Sequence, residues 1–271
     1  MIARVLALEW RLWKHRRAGG VIAASVPAAT ILYALLARSL SGTGLPGTAL
    51  PTDGSGAAGY ALAFHTMRAM ARLLAIVAVA WGAFAIAPEI ESGRHRLALL
   101  RVSRGAWFAG KSLFPAAVAA ALLGVATVIS LAAGAWCYSL GGIRAGGFEI
   151  QSGGALFASA LAAALLMVVS LATLVAFGAA MSAHARSGEM ALFLALAGLA
   201  ILWGVSLLPG AEHVVFIAKA DWPLAVASSR SEGLRTESFS RGLPGFLAVH
   251  AAWIVALVWV GLLRIRRRDL P

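Results

Sequence analysis

Charged residues are scarce in this sequence. Asp, Glu, Lys and Arg together make up 13% of its 271 positions, whereas hydrophobic residues make up 61%. Soluble domains typically carry about 25% charged residues and about 45 to 50% apolar ones. The composition therefore excludes an ordinary soluble domain and predicts that the lipid bilayer is the main solvent of the chain.

Residues with distinctive chemistry are also few. Cys137 is the single cysteine, so an internal disulfide is excluded and redox chemistry is not indicated. The six histidines show no metal-ligand spacing, and neither Gly-x-Ser-x-Gly nor His-Glu-x-x-His occurs. The sequence gives no motif for metal-dependent or serine-based catalysis.

Six apolar runs are long enough to cross a hydrocarbon core of about 30 Å. They cover residues 19–37, 67–87, 113–136, 155–180, 190–208 and 246–263, and are numbered spans one to six. Each must be helical, because lipid offers no water to the backbone polar groups. We expect an all-α integral membrane protein with a six-span transmembrane domain over residues 19–263. The first run is too long for a signal peptide, and we expect it to be retained.

The basic residues are unevenly distributed between the two sides. Fifteen of the 23 Lys and Arg residues lie before span one, between spans two and three, after span four or after span six. Because basic residues resist translocation, this side is predicted to be cytoplasmic, with both termini inside. The net charge of +12 is therefore interpreted as topology plus attraction to lipid headgroups, and not as nucleic-acid binding.

Residues 1–18 have the periodicity of an amphipathic helix lying in the cytoplasmic interface. Glu9 falls in the middle of its apolar arc, where an unpaired carboxylate is costly. We expect Glu9 to reach water or to pair with a neighbouring arginine; contact with a partner protein is the alternative.

Two further regions are an outer segment over 209–245, expected to form short re-entrant-like helices, and a basic tail over 264–271.

The predicted membrane interior has almost no ionisable residues. Arg68 and Arg72 are expected to reach out from the outer end of span two, and His250 to form an interfacial hydrogen bond near the outer end of span six. Ion-driven carriers usually place ionisable groups inside the membrane. Energy for any transport must therefore come from elsewhere.

Residues 105–112 satisfy the phosphate-binding P-loop pattern letter for letter. A working P-loop follows a buried strand and has small residues that let backbone amides wrap a phosphate. Here Trp107 and Phe108 fill the loop, and the following helix contains Pro115 and enters the membrane. We interpret the match as accidental and expect no ATP binding by this chain.

The segment between spans two and three, residues 88–112, is charged and is predicted to be helical. In this segment and at the start of span three, the sequence resembles the permease subunits of ABC-2 type ABC transporters. The residues that carry the resemblance are Glu91, Gly93, Leu99, Leu100, Val102, Ser103, Arg104, Gly110 and Lys111. Arg94 and Arg101 stand where threonine and proline are usual in that family.

The resemblance implies a transport subunit that is not itself an enzyme. A second permease subunit, identical or different, would pair with it, and a separate ABC ATPase would carry ATP and magnesium. Spans one, two and five would face the translocation path, in the cytoplasmic membrane of a bacterium or archaeon. The implied ATPase-coupling surface consists of Glu9, Arg11, Glu91, Gly93, Arg94, Leu100, Arg104 and Lys111.

Two other interpretations stay open. Glu89, Glu91 and Arg94 resemble, with altered spacing, the paired glutamates of intramembrane CAAX-type proteases. A membrane anchor or assembly factor without transport activity would show the same distribution of basic residues. The apolar spans mildly favour an amphipathic or lipid-like cargo over a small ion.

Overall fold

The computed structural model describes residues 2–15, 17–40, 58–100, 102–145, 148–232 and 239–267. Arg16, Arg101 and Arg268, three of the basic residues assigned above to the cytoplasmic side, lie outside the described residues, as does the rest of the tail after Arg268. Part of the predicted outer segment, residues 233–238, lies outside them as well.

Most of the described chain is helical. The helices are α1 (Ile2–His15), α2 (Arg17–Leu40), α3 (Ala58–Ala83), α4 (Ala87–Glu91), α5 (His95–Leu99), α6 (Arg104–Cys137), α7 (Gly153–His184), α8 (Gly188–Ser206), α9 (Phe216–Lys219), α10 (Trp222–Ser231) and α11 (Phe239–Arg267). A short 3-10 helix covers Ala211–His213. The strands β1 (Ile143–Ala145) and β2 (Phe148–Gln151) form an antiparallel hairpin.

Among the described residues, six helices are long and apolar enough to cross a membrane. They correspond one to one to the six predicted spans, so the prediction of a multi-pass helical membrane protein is confirmed. The β1–β2 hairpin is an addition to the predicted all-α fold. Its strands contain the β-branched and aromatic residues Ile143, Phe148 and Ile150, which favour extended structure.

Three helices begin well before the apolar runs that predicted their spans. Span three was expected to begin at residue 113, but α6 begins at Arg104. Span two was expected to begin at residue 67, but its helix begins at Ala58, because the first residues of α3, including Phe64, are buried against other helices. Arg68 and Arg72 therefore lie well inside α3 instead of at its end. Span six was expected to begin at residue 246, but α11 begins at Phe239.

The connections alternate between two faces. One, called the α1 face, carries α1, α4, α5 and the C-terminal end of α11. The opposite one, called the hairpin face, carries the β1–β2 hairpin, α9 and α10. The described part of the predicted outer segment contains short helices; their re-entrant-like approach to the membrane surface stays a prediction.

Helices α3 and α7 form the centre of the bundle and cross at two glycines. A Cβ atom on Gly82 would lie 2.4 Å from the Val175 carbonyl oxygen, and one on Gly178 would lie 2.3 Å from that of Val79. Glycine is thus required for this close backbone approach. In contrast, only 17% of the most apolar stretch of α2 and of α8 is buried, so most of their apolar surface lies on the outside of the described bundle.

Candidate functional site

The beginning of α6 is where several elements of the α1 face meet. The Ser103 side chain caps α6 by accepting a hydrogen bond of 3.3 Å from the Ala106 amide. From this cap, the next two turns of α6 contact α1, α4 and α11. A motif that sequence analysis assigned to a partner surface is therefore also an internal junction.

Gly110 allows α1 to pack closely on α6. A Cβ atom at Gly110 would lie 2.5 Å from Cγ1 of Val5 in α1, and the Val5 side chain is buried. Such a distance is too short for two carbon atoms, so any larger residue at position 110 would push α1 away.

Lys111, the next residue, fixes α1 electrostatically. Its Nζ lies 2.5 Å from Oε1 of Glu9 in α1 and also donates to Oε1 of Glu89 in α4. The Lys111 side chain is only 7% exposed, and its three N–H donors suit two carboxylate acceptors. We call Glu9, Glu89 and Lys111 the lysine cluster.

The lysine cluster corrects two expectations. Glu9 was expected to reach water or a neighbouring arginine, but it binds Lys111, which lies 102 positions further along the chain. Lys111 was assigned to an exposed coupling surface, but its side chain is buried. Because Val5 and Glu9 are one helical turn apart, the same face of α1 meets both Gly110 and Lys111.

Glu91 makes a separate contact, with α8. Its Oε2 accepts a hydrogen bond of 3.3 Å from the Gly188 amide at the first residue of α8, where a carboxylate is favoured by the helix dipole. A Cβ atom at Gly188 would meet Pro88 and Phe84 at 3.0 and 3.1 Å, so α4 packs tightly on this helix end. The carboxylates of Glu89 and Glu91 therefore bind different helices and do not form a paired site.

The break between α3 and α4 is held by α7. The buried Ser182 hydroxyl of α7 accepts hydrogen bonds from the amides of Ile86, at 3.2 Å, and Ala87, at 2.8 Å. These amides have lost their helical partners at the start of α4. Ser182 was not predicted from the sequence, where the only local signal for this contact was Pro88, a residue typical of helix starts.

Arg104 binds the end of α11. Its guanidinium donates to the carbonyl oxygens of Ile265, at 3.5 Å, and Arg266, at 3.1 Å, which lie in the last turn of α11 and favour a cation. Nearby, a Cβ atom at Gly261 of α11 would lie 2.5 Å from the Phe108 ring. Arg104 is thus an internal link, in addition to any role on the surface.

A groove of about 730 Å³ separates α1 from the segment that contains α4 and α5. It brings together five of the eight residues predicted for the coupling surface. These are Glu9, Arg11, Arg94, Leu100 and Lys111. Leu100 is 83% exposed, and Arg11 and Arg94 are exposed as well.

The other three predicted residues lie outside this groove. Glu91 and Arg104 bind α8 and α11 as described. Gly93 connects α4 to α5 with a φ of 72°, in the left-handed region that favours glycine. The predicted helical segment is therefore two short helices joined by a glycine turn.

The P-loop-like stretch, residues 105–112, lies inside α6. The backbone amide of Ala106 donates to the Ser103 hydroxyl oxygen, and that of Trp107 donates to the Ser103 carbonyl oxygen. Lys111 is bound to two carboxylates. The stretch therefore has neither the loop nor the free lysine of a phosphate-binding site.

His250 differs from expectation in burial. It was expected at the interface, but it is fully buried, with ring nitrogens 3.2 Å from the Ser170 hydroxyl and 3.0 Å from the Phe246 carbonyl oxygen. Phe216 of α9 and Trp222 of α10 belong to the aromatic cluster around it.

Within the described ranges, no group of three His, Cys, Asp or Glu residues is arranged to hold a metal ion.

Comparison with known proteins places the chain in a family. Residues 31–271 match the family described as "Protein of unknown function (DUF2705)", and the chain belongs to that family. The matched region includes Glu89 and Lys111 but not Glu9. No curated protein matches the sequence.

Proposed function

We propose that this member of a family of unknown function is the membrane-spanning subunit of an ATP-driven transporter of the ABC-2 type. It would pair with a second permease subunit and bind a separate ABC ATPase, which holds ATP and magnesium. The α1 face would be cytoplasmic and the protein would lie in the cytoplasmic membrane of a bacterium or archaeon, working as an exporter.

The observation that carries this proposal is the attachment of the predicted coupling segment to several long helices. Glu89 is bound to α6 through Lys111, Glu91 to the start of α8, and the start of α4 to Ser182 of α7. A displacement applied to this segment would be passed to three spans at once. Packed helices transmit such displacements because they move largely as rigid bodies.

Exposed groups on the same segment suit a soluble partner. Among the segment's described residues, Leu100 is the most exposed large apolar side chain, and the exposed Arg94 and Arg96 precede it by six and four positions. An apolar anchor preceded by basic residues fits a cleft with an apolar floor and an acidic edge. We assign that cleft to the ATPase subunit.

Helix α1 would act together with this segment. It lies against α6, with Val5 on Gly110 and Glu9 on Lys111, and it forms one wall of the groove that Leu100 also lines. The partner would therefore contact both walls, and its movement would reach α1 directly.

Purification in mild detergent tests the partnership. The tagged wild-type chain should retain an ABC ATPase, and Leu100→Glu should lose it because a charge replaces the apolar anchor. Phe148→Glu is the matched control, because Phe148 is 81% exposed on the opposite face. Retention of an ATPase by all three proteins at equal levels would contradict the proposed docking surface, and absence of any ATPase would favour an anchor or assembly factor.

Cysteine labelling tests the orientation. In a Cys137→Ser background, intact cells expressing Leu100→Cys or Phe148→Cys are treated with a membrane-impermeant maleimide. The proposal expects labelling at position 148 and protection at position 100. The reverse result would place the α1 face outside and exclude ATPase binding there.

A further inference from the structure

A second cavity adjoins the groove and shares the lysine cluster and Arg94 with it. Its volume is about 190 Å³, and it lies between α1, the α3–α4 region and α6. Polar and aromatic residues both line it, and one of the aromatic residues, Trp13, lies in α1 itself. The aromatic residues are Trp13, Trp81, Phe84 and Phe114.

The position of the cavity along the helices matches the boundary between headgroups and lipid tails. In α6, Lys111 lies in the second turn and Phe114 one turn deeper in the span. In the α3–α4 region, Trp81 lies within the long helix and Glu89 beyond its break. Charged groups next to aromatic rings at a span end are typical of the membrane interface.

The cavity offers groups of both charges. Two carboxylates, Glu9 and Glu89, share the single ammonium of Lys111, which leaves one negative charge in excess. Arg94 lines the same cavity, is exposed, and has no hydrogen bond or ion pair within the part of the chain that the structure describes. A complementary ligand therefore carries one cationic and one anionic group.

We propose that this cavity binds the headgroup of a zwitterionic phospholipid. The ligand's ammonium lies against Glu9, Glu89 and the aromatic rings, which attract cations through carboxylate pairing and cation–π contact. Its phosphate binds the Arg94 guanidinium, whose fork geometry suits phosphate oxygens. Its acyl chains lie along Phe84 and Leu12 at the rim, which are 45% and 38% exposed.

A lipid in this place joins α1 to the segment that contains Arg94. It therefore adds to the attachment that the lysine cluster provides, and its headgroup becomes part of the α1 face. The inference needs neither an ATPase nor transport, so it stands or fails separately from the proposed function.

Native mass spectrometry of the purified chain tests the inference directly. Phosphatidylethanolamine, phosphatidylcholine and phosphatidylglycerol with identical acyl chains are added in turn to delipidated protein in detergent. We expect one molecule of either zwitterionic lipid to be retained, with an affinity about tenfold above that for anionic phosphatidylglycerol, because the carboxylates repel a headgroup without an ammonium. Equal retention of all three lipids overturns the proposal.

A matched pair of arginine variants identifies the phosphate contact. Arg94→Gln should lower the affinity for phosphatidylethanolamine about tenfold, the loss expected for one charge-assisted contact. Arg96→Gln removes an exposed arginine two positions away that does not line the cavity, and should bind like the wild type. Equal binding by the two variants, both with wild-type thermal midpoints, overturns the assignment.

Two further measurements test the lipid site without replacing Arg94, so they do not depend on whether Arg94→Gln folds normally. Ser92 is exposed and lines the cavity, so Ser92→Trp should block it and abolish retention without removing a buried contact. Soluble phosphoethanolamine tests whether a free headgroup suffices, and we expect it not to displace the lipid at equal concentration because it lacks acyl chains. Lipid retention by Ser92→Trp, or equal binding of phosphoethanolamine, overturns a lipid site in this cavity.

Discussion

Lys111 of α6 and Glu9 of α1 form an ion pair with a 2.5 Å separation between Nζ and Oε1. The same ammonium binds Glu89 of α4, so one lysine joins three elements. An N-terminal helix that could have rested on lipid alone is thereby attached to the transmembrane bundle.

Lys111→Met should destabilise the protein strongly. The change leaves two carboxylates close together without a counterion, and breaking a buried pair in this way costs about 3 to 5 kcal/mol. Thermal unfolding in detergent measures the effect. The triple variant Lys111→Met, Glu9→Gln, Glu89→Gln should recover much of the loss, since no uncompensated charge is left; an unchanged midpoint for Lys111→Met alone would contradict the pairing.

Gly110→Ala should detach α1. The new Cβ atom would lie 2.5 Å from Cγ1 of Val5, and the backbone of α6 has little freedom to yield. Limited proteolysis should cleave the N-terminal helix faster than in the wild type. Gly105→Ala in the same helix is the control, because nothing lies within 4 Å of its added Cβ atom; we expect it to be neutral or to stabilise by up to about 1 kcal/mol. Similar protease resistance of both variants would contradict the close packing of α1.

Gly178→Ala should disturb the centre of the bundle. Its Cβ atom would lie 2.3 Å from the Val79 carbonyl oxygen, and a backbone atom cannot rotate away. We expect little folded protein on size-exclusion chromatography. Gly124→Ala, in a span position with open space around it, should elute like the wild type, and equal yields of the two would contradict the α3–α7 crossing.

Asp221→Asn should loosen the outer segment without unfolding the protein. Asp221 precedes α10 and binds Arg68 at 2.6 Å and Arg72 at 3.1 Å. These pairs are partly exposed, so each contributes at most about 1 kcal/mol. Hydrogen exchange should rise in residues 216–231 and stay unchanged around α1; Glu189→Gln, on the other face, should leave both regions as in the wild type. An unchanged rate of hydrogen exchange in residues 216–231 would show that Asp221 does not hold this segment in place.

The spans could be predicted because lipid imposes a simple rule on composition and length. Their ends could not, as α3 shows. Its first turns contain His65 and lie close to arginines, so their hydropathy is low, yet they are buried by contacts with distant residues such as Gly134. Tertiary packing of this kind is not visible in a local window of sequence.

The functional residues, like the spans, could be predicted from the sequence only in part. Motif resemblance identified Gly110 and Lys111, and an unfavourable carboxylate in an apolar arc identified Glu9. Neither signal indicated that Lys111 binds Glu9, because pairing across 102 positions depends on how α1 folds back onto α6. Apart from Pro88 at the start of α4, nothing in the sequence indicated Ser182, since a serine in an apolar helix usually bonds its own backbone.

ATP hydrolysis by the reconstituted complex shows whether an ATPase acts on this protein through the α1 face. The co-purified ATPase is assayed in proteoliposomes with the wild-type chain, with Leu100→Glu and with Phe148→Glu. We expect the wild type and Phe148→Glu to support equal rates and Leu100→Glu to lower the rate about tenfold or more, the effect of losing one interfacial anchor. Equal rates with all three chains would contradict the assignment of the α1 face as the surface through which ATP hydrolysis drives this protein.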